Sequence, residues 1–390
     1  MRKMPTLSIF ALGFRPFFLG SAIYAMLGMG TWAIVFQGQQ VTGVTDFGPP
    51  HWWHAHGMIF GYSIGVIAGF LLTATRNWTG LPTLNGRPLA ALFALWAAAR
   101  VMPHMGVPIE ATAAVDLTFN LGLLISVTAP LVQARRWKDV AIFPPKLLTL
   151  MAANAMVYFG AMGQGPGQRI GLYLGLYVVL AVILTIGGRV FSFFIRRGLG
   201  IDEALQTSRS LVYANLAALV AFMWVDLTWP SSIGAAALSA AVALINGRQL
   251  WTWARRGVWS RPLLWVLILG YGWLIIGFAL LSLKALGVFP GAQGLHALTV
   301  GCIGMTTVGM MARVSLGHTG RDIYAPRPVL RVCFGLLMIA ATVRVWLPLT
   351  GVSYLVVIIT SQVAWVAAFA LFIGMYAPIL LTPRVDGKPG

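Results

Sequence analysis

Between short polar bursts the chain runs through apolar stretches of roughly 17 to 25 residues, each about the thickness of a bilayer's hydrocarbon core when helical. Twelve such spans fall at about 17–36, 54–75, 86–102, 112–132, 146–163, 170–195, 211–228, 233–253, 262–283, 295–315, 328–347 and 353–376. None alternates like a membrane barrel strand, and backbone in lipid must satisfy its polar groups internally, so the pattern predicts helices throughout. The expected fold class is an all-α polytopic membrane protein of about 12 transmembrane helices, one integral membrane domain over 1–390 with no separate soluble part.

Composition agrees with the pattern. At 58% hydrophobic, 9% charged and a mean hydropathy of +0.82, the chain carries more apolar surface than a water-soluble domain can hide. A net charge of +18 would suggest nucleic acid in a soluble protein, but here the cations lie between apolar spans and read as topology signals. With the N-terminus in the cytoplasm, the inner segments collect 23 of the 27 basic residues, from Arg2, Lys3 and Arg15 at one end to Arg384 and Lys388 at the other. The outer segments hold Arg100, Arg169, Lys284 and Arg344. That asymmetry predicts both termini in the cytoplasm. Met1 to Pro16 lacks the short apolar core of a cleavable signal, so the first span is expected to remain as an anchor. Cys302 and Cys333 fall within spans and read as packing residues.

The chemistry concentrates at the mouth of the second span, where HWWHAH (His51 to His56) holds three of the six histidines. Histidine is costly in lipid unless paired or bound, so three at a membrane entrance are a functional candidate, against the alternative that they sit in interfacial water beside two tryptophans. In the expected topology His51, His54, His56, His104 and His296 all lie toward the outer side, and only His318 is cytoplasmic.

One internal echo links two spans. At an offset of 240 residues His56 falls on His296, Gly61 on Gly301, Gly69 on Gly309, Thr79 on Thr319 and Gly80 on Gly320, with Thr75 on Ser315. A parallel repeat relating helix 2 and helix 10 would put His56 and His296 at matching depths. On a regular helix His54 and His56 point about 200° apart, while His51, His54 and Met58 share a face. Facing imidazoles from separate helices suit haem iron, so His56 and His296 become axial-ligand candidates, and the His51, His54 and Met58 face suits a soft metal such as copper(I). Arg100 and Arg344, at outer span ends, are candidates for haem propionates, with a pairing of Arg100 to Asp116 as the alternative. Arg189 and Arg313 are explained by snorkelling at the inner side, and His318, in SLGHTGR, reads as a turn residue.

Three stretches, LGFRPFFLGSA (Leu12 to Ala22), WHAHGMIFGYSIGVIAGFLLTATRNWTG (Trp53 to Gly80) and HALTVGCIGMTTVGMMARVSLGHTGR (His296 to Arg321), closely resemble the NnrS family. The resemblance implies a bacterial inner-membrane protein of about twelve spans that contains haem and copper and is linked to nitric oxide metabolism and nitrosative stress. It makes His54, His56, His296 and His318 the natural haem and metal ligands; the reading of the residues themselves adds His51, His104 and Met58 as copper candidates. The chain departs from the family pattern at Gly57, where a glutamate usually follows the second histidine of WHAH.

Three functions follow as expectations. The first is a haem and copper protein acting on nitric oxide, with a bis-histidine haem between helices 2 and 10 near the periplasmic side and an unidentified electron donor. A binuclear haem-copper reductase centre of the usual kind does not fit, because spans 5 to 9 contain no histidine. The second is a cofactor-free transporter of a metal or small anion. The third is a haem sink or sensor that binds nitric oxide without turnover. The lipid bilayer is the expected partner in each case, and nucleic acid in none.

Overall fold

The computed structural model describes residues 8–388 except 203–204, 206–208 and 290–291, so Arg2 and Lys3 of the inner cationic set lie outside the described residues. Twelve long helices account for the described chain: α1 Phe14–Phe36, α2 Pro50–Thr79, α3 Gly86–Val101, α4 Ile109–Gln133, α5 Phe143–Ala161 and α6 Gly167–Leu199, then α7 Arg209–Thr228, α8 Ile233–Trp253, α9 Pro262–Ala285, α10 Gln293–His318, α11 Val329–Trp346 and α12 Tyr354–Leu381. Eleven are long and apolar enough to cross a membrane; α3, with 16 residues, is shorter. The chain is a multi-pass membrane protein.

Two of the twelve are irregular in the same way. Within α2 the α-helical Pro50–His56 passes into a π-helical Gly57–Ser63 before Ile64–Thr79 resumes the α-helix. Within α10 the π-helical segment is Ala297–Ile303, again immediately after a histidine and at the same offset of 240 residues. Both rods end on a glycine in the left-handed region, Gly80 at φ +71° and Gly320 at φ +74°, where a Cβ would be strained.

The chain divides into two compact units. The first comprises Met1–Val179, Val314–Arg321 and Phe372–Gly390. In it α1 packs along α2, including the π-helical turn, and α4 packs between α3 and α5. The second comprises Leu180–Arg313 and Asp322–Leu371. There α8 packs on α7 and α9, while α9 and α11 both cover the π-helical turn of α10.

The two ends of the chain meet within the first unit. Arg15, fully buried, donates from Nη1 to the carbonyls of Leu380 (2.9 Å) and Thr382 (2.7 Å), which places a cation at the negative end of α12. Arg384 donates to the His318 carbonyl at 2.8 Å, and the Val385 N–H donates to Thr319 at 3.1 Å. The His318 ring lies 5.7 Å from that of Phe14, whose N–H donates to Thr73 far down α2. His318 is therefore at the opposite end of the unit from His56, roughly 25 Å away along α2. Arg313 does not snorkel: it is 5% exposed and its guanidinium stacks 3.9 Å above the Phe194 ring.

Candidate functional site

A π-helical turn widens the backbone and leaves carbonyls without their usual i+4 donors, so side chains from neighbouring helices must supply hydrogen bonds. In α2 this need falls on Phe60 and Gly61. Trp96 of α3 donates from Nε1 to the Gly61 carbonyl at 3.0 Å, and Arg100, one turn further along α3, donates from Nη1 to the Phe60 carbonyl. The same guanidinium pairs through Nη2 with Asp116 Oδ1 of α4, both side chains buried. A buried guanidinium is tolerable only with such a partner.

Asp116 carries the network onward. Its Oδ2 accepts from Asn154 Nδ2 and from the Tyr158 hydroxyl, each at 3.0 Å and both from α5. Asn154 Oδ1 then lies 2.8 Å from His56 Nε2. These contacts settle the proton on His56: Asn154 turns its amide NH₂ toward the carboxylate, so its oxygen faces the imidazole and Nε2 carries the hydrogen. The imidazole is 5% exposed and wedged among Phe47, Phe60 and Tyr158, with centroid separations of 4.6, 5.3 and 5.0 Å.

The other histidines of α2 take different surroundings, as the spacing on a helix predicts. His54 stacks on Trp32 of α1 at 4.8 Å with 15° between the planes. His51 is exposed, its ring edge-on to Trp52 at 5.9 Å. His104, just past α3, donates from Nδ1 to the Thr42 carbonyl at 2.9 Å and meets Trp53 edge-on at 5.7 Å, which brings it beside the entrance of α2. Met58 is half-buried inside the π-helical turn, where its carbonyl accepts from Ser63. At Gly57 a Cβ would collide with the Tyr24 hydroxyl of α1, so this chain fills with a tyrosine the space that a larger residue at position 57 would need.

On α10, His296 is half-buried and Nδ1 lies 2.9 Å from the carbonyl of Ala292, the residue that precedes the helix. Donation from Nδ1 leaves Nε2 as the lone-pair nitrogen, the arrangement common among metal-binding histidines. Arg344 donates to the Tyr354 hydroxyl at 2.8 Å. Among the described residues no three His, Cys, Asp or Glu side chains are grouped to hold a metal ion, and Cys302 and Cys333 are buried free thiols.

The structure thus joins His56 and Arg100 through Asp116, the pairing that stood as the alternative to a propionate role for Arg100. Asn154, Tyr158 and Trp96 were not singled out from the sequence. The available signal was a lone Asn in the fifth apolar span facing a lone Asp in the fourth, since intramembrane polar residues pair with one another.

A family model described as "NnrS protein" matches residues 8–384 of the 390. No curated protein matches the chain. With nearly the whole length covered, all twelve helices included, the chain belongs to the NnrS family, a membership that ties it to the nitric oxide response.

Proposed function

We propose that this protein is a haem protein of the bacterial cytoplasmic membrane, with copper nearby and both termini in the cytoplasm, that captures or transforms nitric oxide. The residues that would hold the haem are an imidazole of α2 and His296 of α10. The observation that carries the reading is the shared register: on two helices 240 residues apart a histidine stands immediately before a π-helical turn. Such turns cluster at functional sites. The family's association with metal or haem binding supports the same reading.

The donor chemistry of His296 and His104 fits a metal or haem iron. Each commits Nδ1 to a backbone carbonyl, which fixes the tautomer with the lone pair on Nε2. His56 fits less well, because its Nε2 is held by Asn154 and its faces are covered by aromatic rings. A bound haem would supply an iron centre able to take up nitric oxide or pass an electron. The chain's own part is to hold the imidazoles. Arg344 would meet a propionate while Arg100 stays with Asp116, and His51 and His104 would serve copper beside Trp53.

The test is the visible spectrum and metal content of protein purified after expression with ample haem. Stoichiometric iron with a low-spin Soret band, lost in His296→Ala, is the expected result. Protein without iron would overturn the reading in favour of a cofactor-free transporter. Consumption of nitric oxide beyond one equivalent per haem with an electron donor marks an enzyme, and stoichiometric uptake marks a sink or sensor.

A further inference from the structure

We infer that the second unit carries a phosphate-binding pocket where its helices end, with Arg313 and Arg261 as the side chains that hold the anion. The site is independent of the haem reading and needs no residue of the first unit.

The pocket is formed by the last turn of α6 at Gly198, the first turn of α9 from Arg261, Arg313 of α10, and Tyr324 in the segment that leads to α11. One helix stops there and another starts, which sets the space at headgroup depth in a chain of this kind.

Its positive charge has no counterpart. Arg313 is 5% exposed, and its guanidinium lies 3.9 Å from the Phe194 ring without a hydrogen-bond acceptor or a carboxylate among the described residues. A ring face replaces part of the lost hydration and leaves the N–H donors unused, and a buried cation without an anion is costly. Arg261 is exposed and donates from Nη1 to the Tyr324 carbonyl at 3.3 Å, which leaves its other donors for a ligand. The 24-residue α9 opens on Pro262, so the positive end of its dipole borders the same space.

The groups that would repel an anion are already engaged. At the negative end of α6 the Arg196 carbonyl accepts from the Ile201 N–H at 3.0 Å, and the Arg197 carbonyl from the Tyr324 hydroxyl at 3.5 Å. The Asp322 carboxylate accepts from the Tyr324 N–H at 2.7 Å, and among the described residues no Asp or Glu lines the pocket. Two guanidinium groups and a helix N-terminus call for a small anion with oxygen acceptors on several sides, which a tetrahedral phosphate has and a planar nitrate or carboxylate lacks. Such a group belongs to an anionic phospholipid or to free phosphate, and the same donors serve both.

Delipidated full-length protein in detergent, titrated with inorganic phosphate and separately with short-chain phosphatidylglycerol, tests the site by calorimetry. Saturable binding of at least one probe is expected, weakened about tenfold or more in Arg313→Gln and about two- to fivefold in Arg261→Gln. Arg248→Gln, at an exposed arginine of α8, should bind as wild type does. Binding of phosphate alone assigns the free anion, binding of phosphatidylglycerol alone assigns the headgroup, and displacement of one by the other shows a shared site. Absence of saturable binding by either probe overturns the inference, as does binding that Arg313→Gln leaves unchanged. If Arg313→Gln does not fold, Arg261→Gln decides: a loss there and none in Arg248→Gln upholds the site, and equal behaviour of the two overturns it. Haem content plays no part in these readings, so failure of the haem proposal leaves the outcome intact.

Discussion

The entrances of α2 and α10 share a histidine, a π-helical turn and a glycine at matching positions, and they differ in nearly everything that surrounds them. Around His56 the neighbouring helices supply Trp96, Arg100, Asp116 and Asn154, which tie down the ring and the turn's carbonyls. At the same offset of 240 residues, Arg100 corresponds to Ala340 and Asp116 to Val356, so α10 has no charged counterpart there. Its histidine instead turns Nδ1 back to the Ala292 carbonyl just ahead of its own helix. The packing beneath is alike: Gly61 accommodates Tyr24 of α1, and Gly301 accommodates Trp273 of α9. A shared backbone irregularity thus carries one histidine held by Asn154 of a neighbouring helix and one whose Nδ1 turns to the carbonyl at the start of its own helix.

The difference is broken most severely by Asp116→Ala, which strands Arg100 in the interior. The expected loss is about 3–5 kcal/mol, read as a lower unfolding temperature or aggregation on size-exclusion in detergent. Val356→Ala, the change at the matching sequence offset, should leave the protein folded, and equal damage from both would show that the network is not what distinguishes α2.

Next come Gly61→Ala and Gly301→Ala. Each added methyl meets an aromatic ring, and each should cost about 1–3 kcal/mol in thermal unfolding. Because both glycines serve the same close approach, a large effect at one and none at the other would undo the likeness of the two turns. Asn154→Ala leaves Asp116 Oδ2 short of one donor and the His56 Nε2–H without its acceptor. It should cost about 1–3 kcal/mol and should not be rescued by any change on α10.

The smallest effect concerns the far ends of the two rods. Gly80 faces open space, whereas Gly320 lies against the carboxylate of Asp386, which Arg384 grips at 2.8 and 2.6 Å. The hydrogen bonds from Arg384 hold the Asp386 carboxyl well below the usual carboxylate range. A depressed value contributes stability that is fully present above the ordinary carboxylate pKa and is lost progressively as pH falls from there through the lower folded value. Thermal scans between about pH 5 and 8 should therefore show no dependence from this group, and Asp386→Asn should shift the midpoint only slightly.

The positions of twelve helices were readable because hydropathy alone decides what spans lipid, and the register of α2 against α10 was readable because histidine and glycine are identifiable letters. The π-helical turns were not. Adding one residue to a turn does not alter the apolar content of a span, so no periodicity announces Gly57–Ser63 or Ala297–Ile303. The partition of His54 and His56 onto two faces was legible from helical spacing, whereas the partner of His56 was not, because Asn154 comes from a helix nearly a hundred residues on. Arg313 fails the snorkelling rule for a related reason: Phe194 offers its face from another helix, and an aromatic ring can replace water for a guanidinium.

Arg15 bears on how the protein is made. It sits at the start of α1, yet its carbonyl partners Leu380 and Thr382 lie 365 and 367 positions away, and Arg384 joins the same end of the first unit. A ribosome that has delivered α1 to α5 to the membrane has therefore made most of this unit and cannot close it. During that interval the Leu380 and Thr382 carbonyls are not yet there to accept from the Arg15 guanidinium. Folding of the first unit is thereby timed to the arrival of residues more than three hundred and sixty positions later, well after the second unit's helices have emerged.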